Sequence, residues 1–143
     1  MAERKRNKSK NKGNKWENQV YDDIRAAGYF IRKNKGSGNA EDNKGDLETI
    51  NLLIECKHYK KVNNKMIAGW MDKIYNEALP INKFPVLIVK ENYVKPKVYF
   101  VHEDGEILSM DYKLWLEKAL VTENARINLN IPVKKDLPPI YIG

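Results

Sequence analysis

Gly45-Asp46-Leu47-Glu48-Thr49-Ile50-Asn51-Leu52-Leu53-Ile54-Glu55-Cys56-Lys57 is the stretch on which the fold of this chain turns. A reversal at Ile50-Asn51 makes it a β-hairpin. Strand side chains alternate with a period of two, so Glu55 and Lys57 share one face while Leu52, Ile54 and Cys56 share the other. The apolar set can enter a core while the charged pair lines a cleft. Antiparallel pairing about that turn sets Asp46 opposite Glu55, with Cβ atoms roughly 5 Å apart, close enough to share one divalent cation. Hard cations such as Mg²⁺ favour carboxylate, carbonyl and water oxygens and take one or two protein carboxylates. Asp46, Glu55 and the Cys56 backbone carbonyl form such a set, for Mg²⁺ or for Mn²⁺ in its place. A cation there would polarise a phosphodiester and acidify a bound water, and the Lys57 ammonium would offset charge growing on the phosphorus oxygens. The chemistry implied is metal-assisted phosphodiester hydrolysis.

On these residues the chain resembles the PD-(D/E)xK nuclease superfamily, and within it the archaeal and phage-type Holliday junction resolvases. Lys15-Trp16-Glu17-Asn18, near the start of a helix, is similar to the segment carrying that family's early glutamate, so the resemblance gives Glu17 a part in the metal site. Phe30-Ile31-Arg32 leading into Gly36-Ser37-Gly38 resembles the resolvases' arginine strand and mobile serine loop. The arrangement matches over roughly residues 12 to 120, and Gly45 stands where the family usually has proline. The resemblance implies an α/β, restriction-endonuclease-like core: a central mixed β-sheet of about five strands flanked by helices. It further implies a Mg²⁺-dependent endonuclease that cuts four-way DNA junctions as a homodimer, with Glu17, Asp46, Glu55 and Lys57 as its catalytic residues. Another nuclease of the superfamily, of restriction or phage DNA-processing type, and a non-catalytic nucleic-acid-binding protein stay open as alternatives. Taken alone, the D…ExK pattern equally describes a solvated strand face in a chain with 31% charged residues. The flanking apolar strands, the glycine-rich loop and the upstream glutamate favour the cleft.

With 143 residues the chain supports one nuclease domain over 15–121, preceded by a disordered basic arm, 1–14, and followed by an extension, 122–143, that packs on the domain or on a partner subunit. Charge is concentrated at the start. Residues 1 to 16 hold seven basic side chains, Arg4, Lys5, Arg6, Lys8, Lys10, Lys12 and Lys15, against Glu3, a net of +6 out of +7 for the whole chain. Such an arm suits a polyanion. It also suits a simple solubility tail. Arg32, Lys33, Lys35, Ser37, Lys44, Tyr59 and Lys60 complete the candidate DNA contacts, most of them in or beside the loop that spans Lys33 to Lys44. The single cysteine excludes an internal disulfide and fits a reducing compartment. Without a secretory segment or an apolar run of about 18 residues, the expectation is a soluble, intracellular, nucleic-acid-associated protein with no membrane partner.

Elsewhere, periodicity predicts a helix from Gly13 to Ala27 ended by Gly28, and a strand from Tyr29 to Arg32. A second helix runs from Asn63 to Leu79 and stops at Pro80; its broad apolar stripe is core, with part of it available to a partner subunit. Val86 to Val89 is a strand buried on both faces, joined to Lys97–Val101 by a connection over Asn92 to Pro96. A turn follows at Glu103 to Glu106, and Asp111 caps a last helix. Ile127, Leu129 and Ile131 alternate as an edge strand would.

Overall fold

A computed structural model of the chain describes residues 2–34, 45–102 and 104–119, with the backbone alone for residues 2–12 and 119. The elements in chain order are α1 (Ala2–Ala26), β1 (Arg32–Lys33), β2 (Leu47–Glu48), β3 (Leu52–Tyr59), α2 (Asn64–Ala78), β4 (Phe84–Glu91), β5 (Val94–Val101), β6 (Ile107–Asp111) and α3 (Tyr112–Leu114), which continues as a π-helical segment, Trp115–Ala119. The strands form one mixed sheet in sequence order, β1-β2-β3-β4-β5-β6. Only β3 and β4 are parallel, and α2 provides the crossover that a parallel pair requires.

The hairpin folds as its alternation demands. Leu47 pairs with Ile54 and Glu48 with Leu53. Thr49 N–H donates to the Leu52 carbonyl and Leu52 N–H donates back to Thr49 Oγ1, both at 3.0 Å, leaving Ile50-Asn51 at the corner. Its two faces enter two cores. Leu47, Leu52, Ile54 and Cys56 pack with Trp16, Val20 and Ile24 of α1 and with Tyr112 and Trp115 beyond β6. Leu53, by contrast, joins Leu87 and Val89 against Ile67, Met71, Ile74 and Ala78 of α2. The sheet is therefore a filling between α1 and α3 on one side and α2 on the other. Trp16 closes the first core: its Nε1 donates to the Ile88 carbonyl at 3.2 Å, and its ring meets Tyr112 edge-on at 5.3 Å.

Several boundaries differ from those the pattern predicts. α1 begins at Ala2, within the stretch read as a disordered basic arm; the lysines and arginines there favour helix, Asn7, Ser9, Asn11 and Gly13 do not, and no proline stops it. Gly28 terminates α1 as expected, at φ +93°, with Tyr29 N–H donating to Ile24 O and Gly28 N–H to Arg25 O. β1 is shorter and later than Tyr29 to Arg32. Asn63 caps α2 by accepting from Met66 N–H, and Pro80 lies in the 3₁₀ turn Leu79–Ile81 that follows. The Asn92 to Pro96 connection is corrected: β4 and β5 meet in a tight turn at Asn92-Tyr93, and Pro96 lies inside β5. The pairing register shifts between Val89 and Glu91, so the missing proline N–H falls beside an irregularity rather than in a regular ladder. β6 makes the sheet six-stranded, one more than expected. Asp111 then caps α3 through Leu114 N–H. Lys35, Ser37, Lys44 and the alternating Ile127, Leu129 and Ile131 lie outside the described residues, as do the side chains of residues 1–12.

Gly45 departs from proline for reasons visible in the backbone. Its φ is +69°, a conformation the proline ring forbids, and its N–H donates to Glu77 Oε1 of α2 at 3.1 Å. A Cβ at this position would lie 2.8 Å from the Leu53 side chain. Gly45→Ala should therefore lower stability by about 2–4 kcal/mol, combining left-handed strain with overpacking. A shifted midpoint in urea unfolding would register that loss, and an unchanged midpoint would contradict this role for the glycine.

Candidate active site

The site forms where β2 ends and β3 continues. The paired register ends at Leu47 and Ile54, and Asp46 N–H donates to that same Ile54 carbonyl at 2.9 Å, which draws Asp46 in against β3 beside Glu55 and Cys56. Beyond that point β3 has no strand partner on this edge among the described residues. The Asp46 carboxylate substitutes for one: Oδ2 accepts the Cys56 N–H at 2.8 Å. A residue's N–H and C=O leave a strand on the same edge, so the Cys56 carbonyl faces this side as well. Glu17, projecting from α1 one residue after the buried Trp16, shares a hydrogen bond with Asp46. Lys57 Nζ stands 3.4 Å from Glu55 Oε1 and 5.6 Å from the centre of the Trp70 ring.

The electrostatics follow from crowding like charges in a half-buried cleft. Glu17 is pushed up to about 7, first by burial and then by Asp46, with Lys33 opposing. Glu55, 9% exposed, is also raised to about 7, by burial and then by Asp46, against the pull of Lys57 and Lys73. Burial drives the Cys56 thiol well up, and the three nearby carboxylates add to the effect. This thiol is a neutral core group. No group of three or more His, Cys, Asp or Glu residues arranged to hold one ion occurs among the described residues. Asp46 instead acts on each of the other two, through a hydrogen bond and charge at Glu17 and through charge at Glu55.

Of the candidates named from sequence, Glu17, Asp46, Glu55, Cys56 and Lys57 come together here. Lys33 adjoins them, hydrogen-bonded to Asn18 and lying 4.9 Å over the Tyr21 ring. Arg32 is engaged elsewhere: its guanidinium pairs with Glu48 at 2.6 Å across the β1–β2 register, and Lys83 joins that carboxylate at 3.3 Å. Tyr59 lies tilted against Trp70 with ring centres 4.9 Å apart, while Lys15 and Lys60 are exposed. Lys73 and Glu77 are the contributors that sequence reading missed. They follow Trp70 by three and seven residues on α2, so the apolar stripe that located Trp70 also marks the face they occupy.

Strand directions gather these features at one end of the sheet. β3 and β4 both end there, α2 begins there, and β1 leads there into the glycine-rich loop. α1 descends past the sheet with Trp16 level with Ile88, so its earlier residues lie toward the same end.

A family model described as "Phage putative PDDEXK endonuclease" matches residues 8–131. The chain belongs to this family. Membership in the phage PDDEXK endonuclease family makes it a PD-(D/E)xK-type nuclease, a class that uses divalent metals. A solved structure of Hjc from Archaeoglobus fulgidus, a Holliday junction resolvase from an archaeal hyperthermophile, is similar with a TM-score of 0.48 at 13% identity, over 72% of this chain and 91% of that one. No curated protein matches the sequence. No helix among the described residues is long and apolar enough to cross a membrane.

The raised carboxylates give the metal-free protein a definite pH dependence. Between about pH 4.5 and 7 the folded state holds protons on Glu17 and Glu55 that the unfolded chain has released. Folding stability should therefore fall as pH rises through that window and stay low above it. In EDTA, the melting temperature should drop from pH 5 to pH 8, and Asp46→Asn should flatten the drop. Equal slopes in both proteins would contradict the assigned crowding.

Proposed function

We propose that this member of the phage PDDEXK endonuclease family is a Mg²⁺-dependent DNA endonuclease whose site is built from Asp46, Glu55, Lys57 and Glu17. The observation carrying this reading is the Asp46 carboxylate held on the Cys56 N–H just past the end of the β2–β3 ladder, where its charge acts on Glu55. The donor set fits a hard divalent ion. Two carboxylates and a backbone carbonyl are oxygen ligands, and Mg²⁺ takes one or two protein carboxylates with water filling the rest. Asp46, Glu55 and the Cys56 carbonyl would hold it, Glu17 beside Asp46. Such an ion, when bound, supplies Lewis-acid polarisation of a phosphodiester and a more acidic water.

The chain's own groups then have separate tasks. Asp46 keeps its orientation through the Cys56 N–H, a bond that does not require the ion. Lys57 places an ammonium beside Glu55, where it offsets negative charge that grows on a phosphorus oxygen. Glu17 shares a hydrogen bond with Asp46 and holds its proton up to about pH 7, which limits the charge in the metal-free cleft. The basic arm, Lys15, Lys33, Lys35, Lys44, Ser37, Tyr59 and Lys60 contact the DNA backbone. Arg32 supports the hairpin through Glu48. Four-way junctions are the substrate to which the resolvase-like order of motifs points, with a homodimer presenting two sites related by the junction's own approximate symmetry.

Purified protein should nick a synthetic four-way junction in Mg²⁺ and stop in EDTA. Asp46→Asn and Glu55→Gln should each lose cleavage by about 10²–10³-fold while retaining DNA binding. Full cleavage by both variants would refute the site. Deleting residues 1–14 should flatten the salt dependence of binding by about 0.9 in log K per log salt for each phosphate that the arm neutralises. An unchanged slope would remove the arm from the DNA interface.

A further inference from the structure

The tip of the β4–β5 hairpin carries a feature that the cleavage site does not use. Tyr93 occupies the second corner of the turn at φ +64°, a left-handed conformation that glycine or asparagine adopts with less strain. Its side chain is fully exposed, at 107%, and Val94 beside it is 44% exposed. A bulky aromatic ring is thus held in solvent at a backbone position unsuited to it, and it packs into neither core.

The tip is nonetheless firmly placed. Asn92 N–H donates to the Tyr59 carbonyl at 3.3 Å, and Asn92 Oδ1 lies 3.0 Å from His58 Nε2. Both anchors are on β3, the strand that bears Glu55 and Lys57. Tyr59 is four residues beyond Glu55, so Tyr93 stands roughly 15 Å from the carboxylates along the strand direction. Three lysines share this face of the sheet. Lys57, Val89 and Lys97 pair across β3, β4 and β5 in one row, and Lys95 follows Lys97 on the same face toward the tip. Lys95 and Lys97 are exposed and border a cavity of ≈ 180 Å³ beside the start of α2. Glu91, the acid on the cavity wall, accepts the Val62 N–H.

A flat exposed ring and two exposed lysines, Lys95 and Lys97, on the sheet face that carries Lys57 match the faces and phosphates of DNA. We propose that Tyr93 is a base-stacking wedge that recognises unpaired or branch-point bases, with Lys95 and Lys97 holding the intervening phosphates. The proposal rests on the DNA-cleaving reading of the site and narrows it to DNA with accessible base faces. At roughly 3.4 Å per nucleotide along a duplex strand, the wedge meets a base roughly four positions from the cut.

The test uses full-length protein, a four-way junction and a linear duplex of equal length. Tyr93→Gly relieves the backbone, so it should raise the melting temperature while weakening junction binding about tenfold relative to duplex binding. Tyr93→Phe should keep the wild-type ratio. A 2-aminopurine at the branch point should be quenched by the wild type and by Tyr93→Phe, but not by Tyr93→Gly. An unchanged affinity ratio or persistent quenching with Tyr93→Gly overturns the wedge. So does dissociation of a dimer in sedimentation, which would make a second copy the partner of Tyr93. Loss of cleavage by Asp46→Asn alongside an unchanged Tyr93→Gly ratio refutes the wedge alone. Continued cleavage by Asp46→Asn refutes the site on which it rests.

Discussion

The hydrogen bond from the Cys56 N–H to the Asp46 carboxylate joins the fold to the candidate chemistry. β2 is two residues long and β3 eight, so β3 outruns its partner. An unpaired N–H at that edge, in the half-buried wall of the cleft, would cost free energy comparable to that of a hydrogen bond. The Asp46 side chain takes the place of the missing strand. The turn at Thr49 to Leu52 fixes the register, the left-handed Gly45 brings the chain in past Leu53, and Glu77 of α2 holds the Gly45 N–H. Together these bonds deliver one carboxylate beside Glu55.

That delivery opposes stability. Burial, and after it Asp46, raises the pKa of both Glu17 and Glu55, and Lys57, Lys73 and Lys33 compensate only in part. Away from the cleft the same sheet treats its acids differently. Glu48 is buried too, but Arg32 and Lys83 hold its carboxyl below the usual range. The contrast separates an ion pair that is complete within the fold from a carboxylate cluster that is not. Excess negative charge at a fixed position is a common mark of a functional site.

The hairpin was legible because strand alternation leaves little freedom: once Leu52, Ile54 and Cys56 are assigned to a core, Glu55 and Lys57 must oppose them. The Glu17 contact was reachable only through the family resemblance, since the spacing of α1 places Glu17 at the edge of an apolar stripe without saying what stands across from it. Arg32 shows the limit. Its neighbour across the sheet, Glu48, is set by pairing between β1 and β2, and no local pattern announces a pair separated by sixteen residues. β6 was hidden for a related reason. Ile107 to Met110 is short and only Met110 is buried, so its strand character comes from pairing with β5. The β4–β5 turn was obscured by Pro96, which reads as a loop residue until the register shift opposite it is known.

Parallel β3 and β4, the start of α2, the entry to the glycine-rich loop and the projecting basic helix converge on one end of the sheet, so the carboxylates stand where cationic segments can bring a polyanion. Anomalous diffraction from crystals soaked in Mn²⁺ tests the central claim most directly. The account predicts a peak in contact with the Asp46 and Glu55 carboxylates, and none at Glu48 with its two cationic partners. Mn²⁺ bound elsewhere on the chain, with no peak between Asp46 and Glu55, would contradict it.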